Sequence, residues 1–215
     1  MALKPYKTLI RPGEDEFVVN KSRFIGHGCP CQTQEQALDF LSRMRTEYRD
    51  ATHNCYAYII GPNMGVMRYS DDGEPGGTAG MPIIEVMKAR GVTNAAVVVT
   101  RYFGGVLLEA GGLVRAYTQG AVAALNACGV GVMHPTARYL MEIGYPMLNR
   151  IDFFLKDAPV NIEEKSFTDV ITYTLTVRCS DEAGFLARLR DMSEGTVEPL
   201  RCEEVYMPWP EEDAP

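Results

Sequence analysis

Three carboxylates crowd into four residues at Asp71-Asp72-Gly73-Glu74. Carboxylates at that density can hold Mg²⁺ through several oxygens or supply general acid/base chemistry. The same residue types also build turns. A third use is internal, with the acidic turn pairing Arg23, Arg101 or Arg115 across a groove. Two glycine pairs, Gly104-Gly105 and Gly111-Gly112, lie between an apolar run and a helical pattern. Free N–H groups at a helix start, approached closely over glycines, seat an anion that Arg101 and Arg115 can close upon. The spacing is neither a P-loop nor a Rossmann fingerprint, and tight turns or close helix packing are the competing use of these glycines. His27, Cys29, Cys31, His53 and Cys55 suggest zinc ligands. Yet Cys-Pro-Cys leaves a one-residue gap where structural zinc sites use about two to four. A Cys–His nucleophile pair lacks an orienting third group. No metal ligand set is complete, no cofactor is called for, and His53 reads as a histidine hydrogen-bonded inside the groove.

The elements that must position these residues follow from pattern. Phe17 to Cys29 has strand character. Thr33-x-x-Gln36 fits a capping box before a helix with an apolar stripe of Ala37, Leu38, Leu41, Met44 and Tyr48. His53 to Ile60 reads as a strand. Gly61 to Gly80 reads as a long loop centred on Ser70 to Gly77, of the kind that is functional or mobile. Pro82 to Arg90 suits a short helix stopped by Gly91. Ala95 to Thr100 is a buried strand, and Gly112 to Cys128 a long helix. Val130 to Pro135 reads as a linker.

Beyond it, Ala137 to Tyr145 is a strand and Pro146 to Asp157 a helix with Leu148, Ile151, Phe154 and Leu155 inward. Asn161 to Phe167 and Asp169 to Cys179 form a hairpin, with Ile171, Tyr173, Leu175 and Val177 on one face. Ser180 caps a helix to Met192, and Thr196 to Tyr206 is a last strand. This β-α-β-β-α-β order is that of the ferredoxin-like split sandwich. The expected class is α+β, with domains over 1–132 and 135–210. The tail from Glu211 to Pro215 reads as frayed.

The 215 residues are 46% hydrophobic and 23% charged, which is ordinary globular composition and excludes a disordered or collagen-like chain. No apolar run approaches a membrane span, and Met1 to Lys7 holds no signal-peptide core, so a cytoplasmic location is expected without membrane partners. Six cysteines read as buried thiols. Residues 1–134 carry 13 Lys and Arg against 12 Asp and Glu, whereas 135–215 carry 8 against 16. The acidic second half is a poor nucleic-acid binder. In the first half Tyr56, Tyr58, Tyr69, Tyr102, Phe103 and Tyr117 interleave with Lys21, Arg23, Arg68, Lys88, Arg101 and Arg115, an arrangement able to stack the bases of a single strand.

Four blocks are similar to the YigZ/Impact family: Lys21 to Ile25, Asp50 to Tyr58, Ser70 to Gly80, and Arg101 to Tyr117. The resemblance spans about residues 15–128. It implies a first domain like the second domain of small-subunit ribosomal protein five and a second like a ferredoxin-like domain of elongation factor G. Both relatives belong to the translation machinery. Eukaryotic Impact proteins damp an amino-acid-starvation kinase pathway by competing for its activator protein, aided by an additional domain without counterpart in these residues, so that mechanism is not carried over. The family usually has Gly where this chain has Glu109; a carboxylate there either points to solvent or weakens an adjacent anion site.

The expected function is non-enzymatic binding linked to translation or stress response, with RNA or a translation-associated protein as partner. Two alternatives stand: a Mg²⁺-dependent enzyme acting on a phosphorylated small molecule or nucleotide, and a pure protein-interaction module. The expected groove holds Lys21, Ser22, Arg23, His53, Ser70, Asp71, Asp72, Glu74, Gly77, Thr78, Arg101, Tyr102, Gly104, Gly105, Gly111, Gly112 and Arg115.

Overall fold

Strand pairing in the first half begins with a tight hairpin. β1 (Lys7–Leu9) precedes β2 (Gly13–Val19) and β3 (Ser22–Pro30), which are antiparallel. Asn20 and Lys21 join β2 to β3 with φ of +47° and +63°. Two consecutive left-handed residues make the primed turn whose twist suits a two-residue hairpin. With β4 (His53–Ile60), β5 (Val66–Ser70) and β6 (Ala95–Tyr102) they form an antiparallel sheet in the order β2-β3-β6-β4-β5. The computed structural model describes residues 5–210; the tail expected to be frayed lies outside them.

Period-two alternation divides this sheet chemically. Phe24, Cys55, Ala57, Val97 and Val99 face α2 (Gly80–Ala89) and α3 (Ala110–Cys128) in one core. Tyr58, Ala96, Val98 and Cys31 face α1 (Gln34–Glu47) in another. The α1 stripe differs from the expected one by a residue: Phe40 enters the core and Leu38 is exposed. The capping box forms halfway. Thr33 Oγ1 accepts the Gln36 N–H at 3.3 Å, but Gln36 Oε1 accepts from Gln32 rather than from Thr33. The expected long loop from Gly61 to Gly80 is interrupted by β5, which pairs with β4 from Tyr56↔Ser70 to Ile60↔Val66. Its short alternating segment was masked by the turn formers on either side.

The chain divides into two units, 1–133 with 208–215, and 134–207. The expected linker Val130 to Pro135 is instead the start of β7 (Val130–Ile143), whose first three residues pair with β1. Those residues are alternating and half-buried, so strand geometry satisfies their backbone better than a solvated linker would.

The second unit continues with α4 (Leu148–Lys156), β8 (Val160–Phe167), β9 (Ile171–Arg178), α5 (Glu182–Ser193) and β10 (Leu200–Pro210). Its strands run β8-β9-β7 with β10 on β7, in the expected β-α-β-β-α-β order. Ile171, Tyr173, Leu175 and Val177 are fully buried, as alternation requires. Asp181, not Ser180, takes the N-cap position of α5, without a side-chain cap bond. The protein is thus a two-unit α+β fold with antiparallel sheets. Three cysteines are buried, Cys29 and Cys179 are half-buried and Cys202 is exposed, so only half match the expectation; all are free thiols.

Helix α3 lies hard against β3. A Cβ on Gly26 would stand 2.1 Å from the Gly120 carbonyl oxygen, a backbone atom that cannot yield. Gly26→Ala is therefore expected to cost at least about 3 kcal/mol in urea unfolding. Gly76→Ala, whose Cβ would meet nothing within 4 Å, should change stability little.

Candidate functional site

The four motif blocks meet at one end of the first sheet, where register aligns Arg23 with Tyr102 and Arg101 with both Phe24 and His53. Their centre is a buried ion pair. Arg101 Nη1 donates to Glu74 Oε1 at 2.6 Å, and the Tyr117 hydroxyl donates to the same oxygen at 2.7 Å. Glu74 and Arg101 are only 8% and 5% exposed. The guanidinium lies between the rings of Phe24 and Phe103, at 5.4 and 5.5 Å from their centroids. Its Nη2 reaches Ser22 Oγ at 3.5 Å, while its buried Nε has no partner. Ser22 Oγ also accepts the Gly104 N–H. His53 Nε2 stands 3.9 Å from Glu74, an electrostatic neighbour beyond hydrogen-bond range, and His53 Nδ1 lies 2.8 Å from the Asp72 carbonyl.

The other two carboxylates of the acidic turn serve its own backbone. Asp71 Oδ1 accepts the N–H groups of Ala79 and Gly80, and Oδ2 accepts that of Gly77. Asp71 thereby caps α2, whose N-cap residue Ala79 has no side chain able to do so. Burial pushes the Asp71 carboxyl up, but the three N–H bonds outweigh it and hold the group below its ordinary value. Asp72 Oδ2 accepts the Asn54 N–H at 2.6 Å, and its backbone and that of Gly73 are left-handed, with φ of +45° and +89°. Ser70 Oγ accepts the Asp72 N–H, and the Thr78 hydroxyl donates to the Pro75 carbonyl. Burial drives the Cys55 thiol up to about 12, so it is no nucleophile at neutral pH.

The glycines divide between the two readings. Gly104 lets the chain cross β3: a Cβ there would lie 1.9 Å from the Lys21 carbonyl oxygen. Gly105, at φ +82°, supplies a left-handed turn. Gly111 is exposed, and a Cβ there would meet nothing closer than Arg115 Nη1, at 3.7 Å. The Gly112 and Leu113 N–H groups are already bonded to the Glu109 carbonyl. Glu109 is exposed and makes no cap bond, so its carboxylate points to solvent.

Around this buried centre is an exposed rim. Lys21 and Arg115 are exposed without an ion pair among the described residues, whereas Arg23 is paired with Glu16 and lies 5.8 Å from the Tyr102 ring centroid. The Tyr102 hydroxyl donates to Asp50. Phe103 and Leu107 expose 44% and 85% of their surface. Pairing of the acidic turn with Arg101 is observed; Arg23 and Arg115 do not join it. Of the aromatics offered for stacking, Tyr58 and Tyr117 are core. No group of three metal ligands occurs among the described residues. His27 and Cys29 lie on the α1 face and His53 and Cys55 on the opposite one, so the five suggested zinc ligands cannot converge. Sequence reasoning missed Tyr117 as the second donor to Glu74. Its place at the end of the fourth motif block was the signal available, read there as part of the family pattern and as a stacking aromatic.

Removing Glu74 leaves a buried cation uncompensated. Glu74→Ala is expected to lose about 3–5 kcal/mol of stability by urea unfolding, and the double variant Glu74→Leu/Arg101→Met to recover most of it. Asp71 contributes stability that is present above its ordinary value of 3.8 and lost as pH falls through the lower folded-state value. Stability measured from about pH 5 down to about pH 2 should therefore fall more steeply for the wild type than for Asp71→Asn.

Residues 20–125 match the Impact N-terminal domain, and residues 141–196 match a domain of unknown function, DUF1949. The chain is similar to the IMPACT family member YvyE of Bacillus subtilis, 35% identical over 95% of this chain and 94% of that protein. Its identity to the IMPACT family member YigZ of Escherichia coli is 34%, over 86% of this chain and 92% of the relative. Protein IMPACT of Oryctolagus cuniculus is 36% identical over 41% of this chain and 29% of its own length. A solved structure described as a hypothetical protein superposes with a TM-score of 0.59 at 32% identity, over 94% of this chain and 98% of that one. Similarity of this extent across both units makes the chain a member of the IMPACT family.

Proposed function

We propose that this protein is a non-enzymatic binding module with a translation-linked regulatory role, and that the exposed rim of its first unit contacts the backbone of single-stranded RNA. The observation that carries this reading is the internal commitment of the acidic turn. Asp71 accepts three backbone N–H groups, Asp72 accepts one, and Glu74 accepts from Arg101 and Tyr117. Carboxylates so engaged are poorly placed to shuttle protons or to gather a hard cation, which needs several free oxygens. What remains outward is Lys21, Arg115 and the exposed face of Phe103, a set suited to phosphate and base contact. Kinship with translation machinery, implied by the family resemblance, supplies the biological setting.

Mobility shift of an RNA oligomer at low and moderate salt tests this. A shift that weakens at the higher salt is expected. Arg115→Ala should lower affinity about three- to tenfold and reduce the salt slope by about one. No shift at either salt overturns RNA binding. Thermal unfolding with nucleotides and sugar phosphates, with and without Mg²⁺, separates the enzymatic alternative: a Mg²⁺-dependent rise in midpoint with one small molecule would replace this reading.

A further inference from the structure

The α1 face of the first sheet carries a separate cluster that the motif blocks do not use. Cys29 and Cys31 sit one residue apart at the end of β3 and both line an open cavity of about 420 Å³, together with Gln36, Asp39, Phe40 and Arg43 of α1. Cys29 is half-buried, reachable from the cavity, whereas Cys31 is 1% exposed. The Cys31 thiol lies 3.5 Å from the Cys29 carbonyl oxygen, and the Cys29 thiol lies 3.5 Å from the Pro30 carbonyl oxygen. Arg43 stacks its guanidinium over the Phe40 ring at 5.5 Å, which fixes it beside Cys29 while leaving it open to solvent. A reachable sulfur, a second thiol beside it, a stacked cation and an open groove together make a thiol-exchange site rather than an inert core cysteine.

We propose that Cys29 is a modification site that exchanges with low-molecular-weight disulfides carrying a carboxylate, with Arg43 holding that carboxylate in the cavity. In the exchange the Cys29 thiolate attacks one sulfur of the small disulfide. A new sulfur–sulfur bond forms, the original one breaks, and the departing thiolate leaves with the bond's electron pair and takes a proton from solvent. The product is a mixed disulfide, with no net oxidant needed beyond the disulfide itself. The neighbouring Cys31 thiol, set against burial and joined by the charge of Arg43, holds the Cys29 thiol below its ordinary range. The groups facing Cys29 across the groove are Arg43 and Asp39 on α1, with Cys31 just past the end of the same strand; Cys128 lies on the opposite, α3 face of the sheet, its thiol pushed up to about 11 by burial and by the charge of Cys29. Cys202, exposed in the same chain, serves as an internal reference.

The test treats the full chain with oxidised glutathione and locates the mixed disulfide by sequencing the modified peptides in a mass spectrometer. Alkylation by iodoacetamide is followed in parallel at each cysteine from about pH 6 to about pH 9. Cys29 should carry the glutathionyl group, and its alkylation should reach half-maximal rate at a pH below the ordinary thiol range. Arg43→Ala, at an exposed position, should move that midpoint upward and slow glutathionylation several-fold while leaving Cys202 unchanged. An alkylation profile for Cys29 that coincides with that of Cys202, or glutathionyl found on Cys202 without Cys29, overturns the proposal. So does an Arg43→Ala variant whose Cys29 profile and exchange rate equal those of the wild type.

Discussion

One carboxylate oxygen, Glu74 Oε1, accepts from a strand residue, Arg101, and from a helix residue, Tyr117. Everything at this end of the first unit hangs on that oxygen. Desolvating a guanidinium and a carboxylate is costly, and only close geometry with further hydrogen bonds offsets the loss. Here the offset comes from Tyr117, from Ser22, and from two aromatic faces over the cation. The requirement is also a positioning device. The acidic turn cannot drift from β6 or α3 without leaving a charge stranded in low dielectric, so three segments distant in sequence are held in one arrangement.

The sheet separates two kinds of chemistry by parity alone. Even positions of β3 with odd positions of β4 and β6 face the ion pair and the long helix; the alternate positions face α1 with His27, Cys29 and the tyrosines. On this second face His27 is pushed down by burial, although Glu14 opposes that fall, and its ring lies 4.7 Å from Tyr48. A substitution in one layer therefore reaches the other only through the backbone.

Much of this was legible in the sequence wherever a pattern had a single physical solution. The apolar run from Ala95, the long helix after Gly112 and the alternation from Ile171 to Val177 each fit one element, and those elements formed. β5 was hidden because its five residues are flanked by turn formers, and β7 began early because Val130 to Val132 gain a partner strand that local composition does not announce. Family membership was readable from the motif blocks. The roles of their residues were not, since an aspartate that caps a helix nine residues away and one that binds a cation look alike before the chain is folded. Phe40 in place of Leu38 on α1 shows the same limit: a helical stripe fixes a face only to within a residue.

Gly131 bears on how the molecule is made. A Cβ there would stand 2.4 Å from the Trp209 carbonyl oxygen, and Trp209 itself is buried with the first unit, more than seventy positions later in the chain. A ribosome emitting this polypeptide releases nearly all of the first unit early, yet that unit stays unfinished until the last strand has left the exit tunnel. The second unit is in this sense an insertion between two segments of the first.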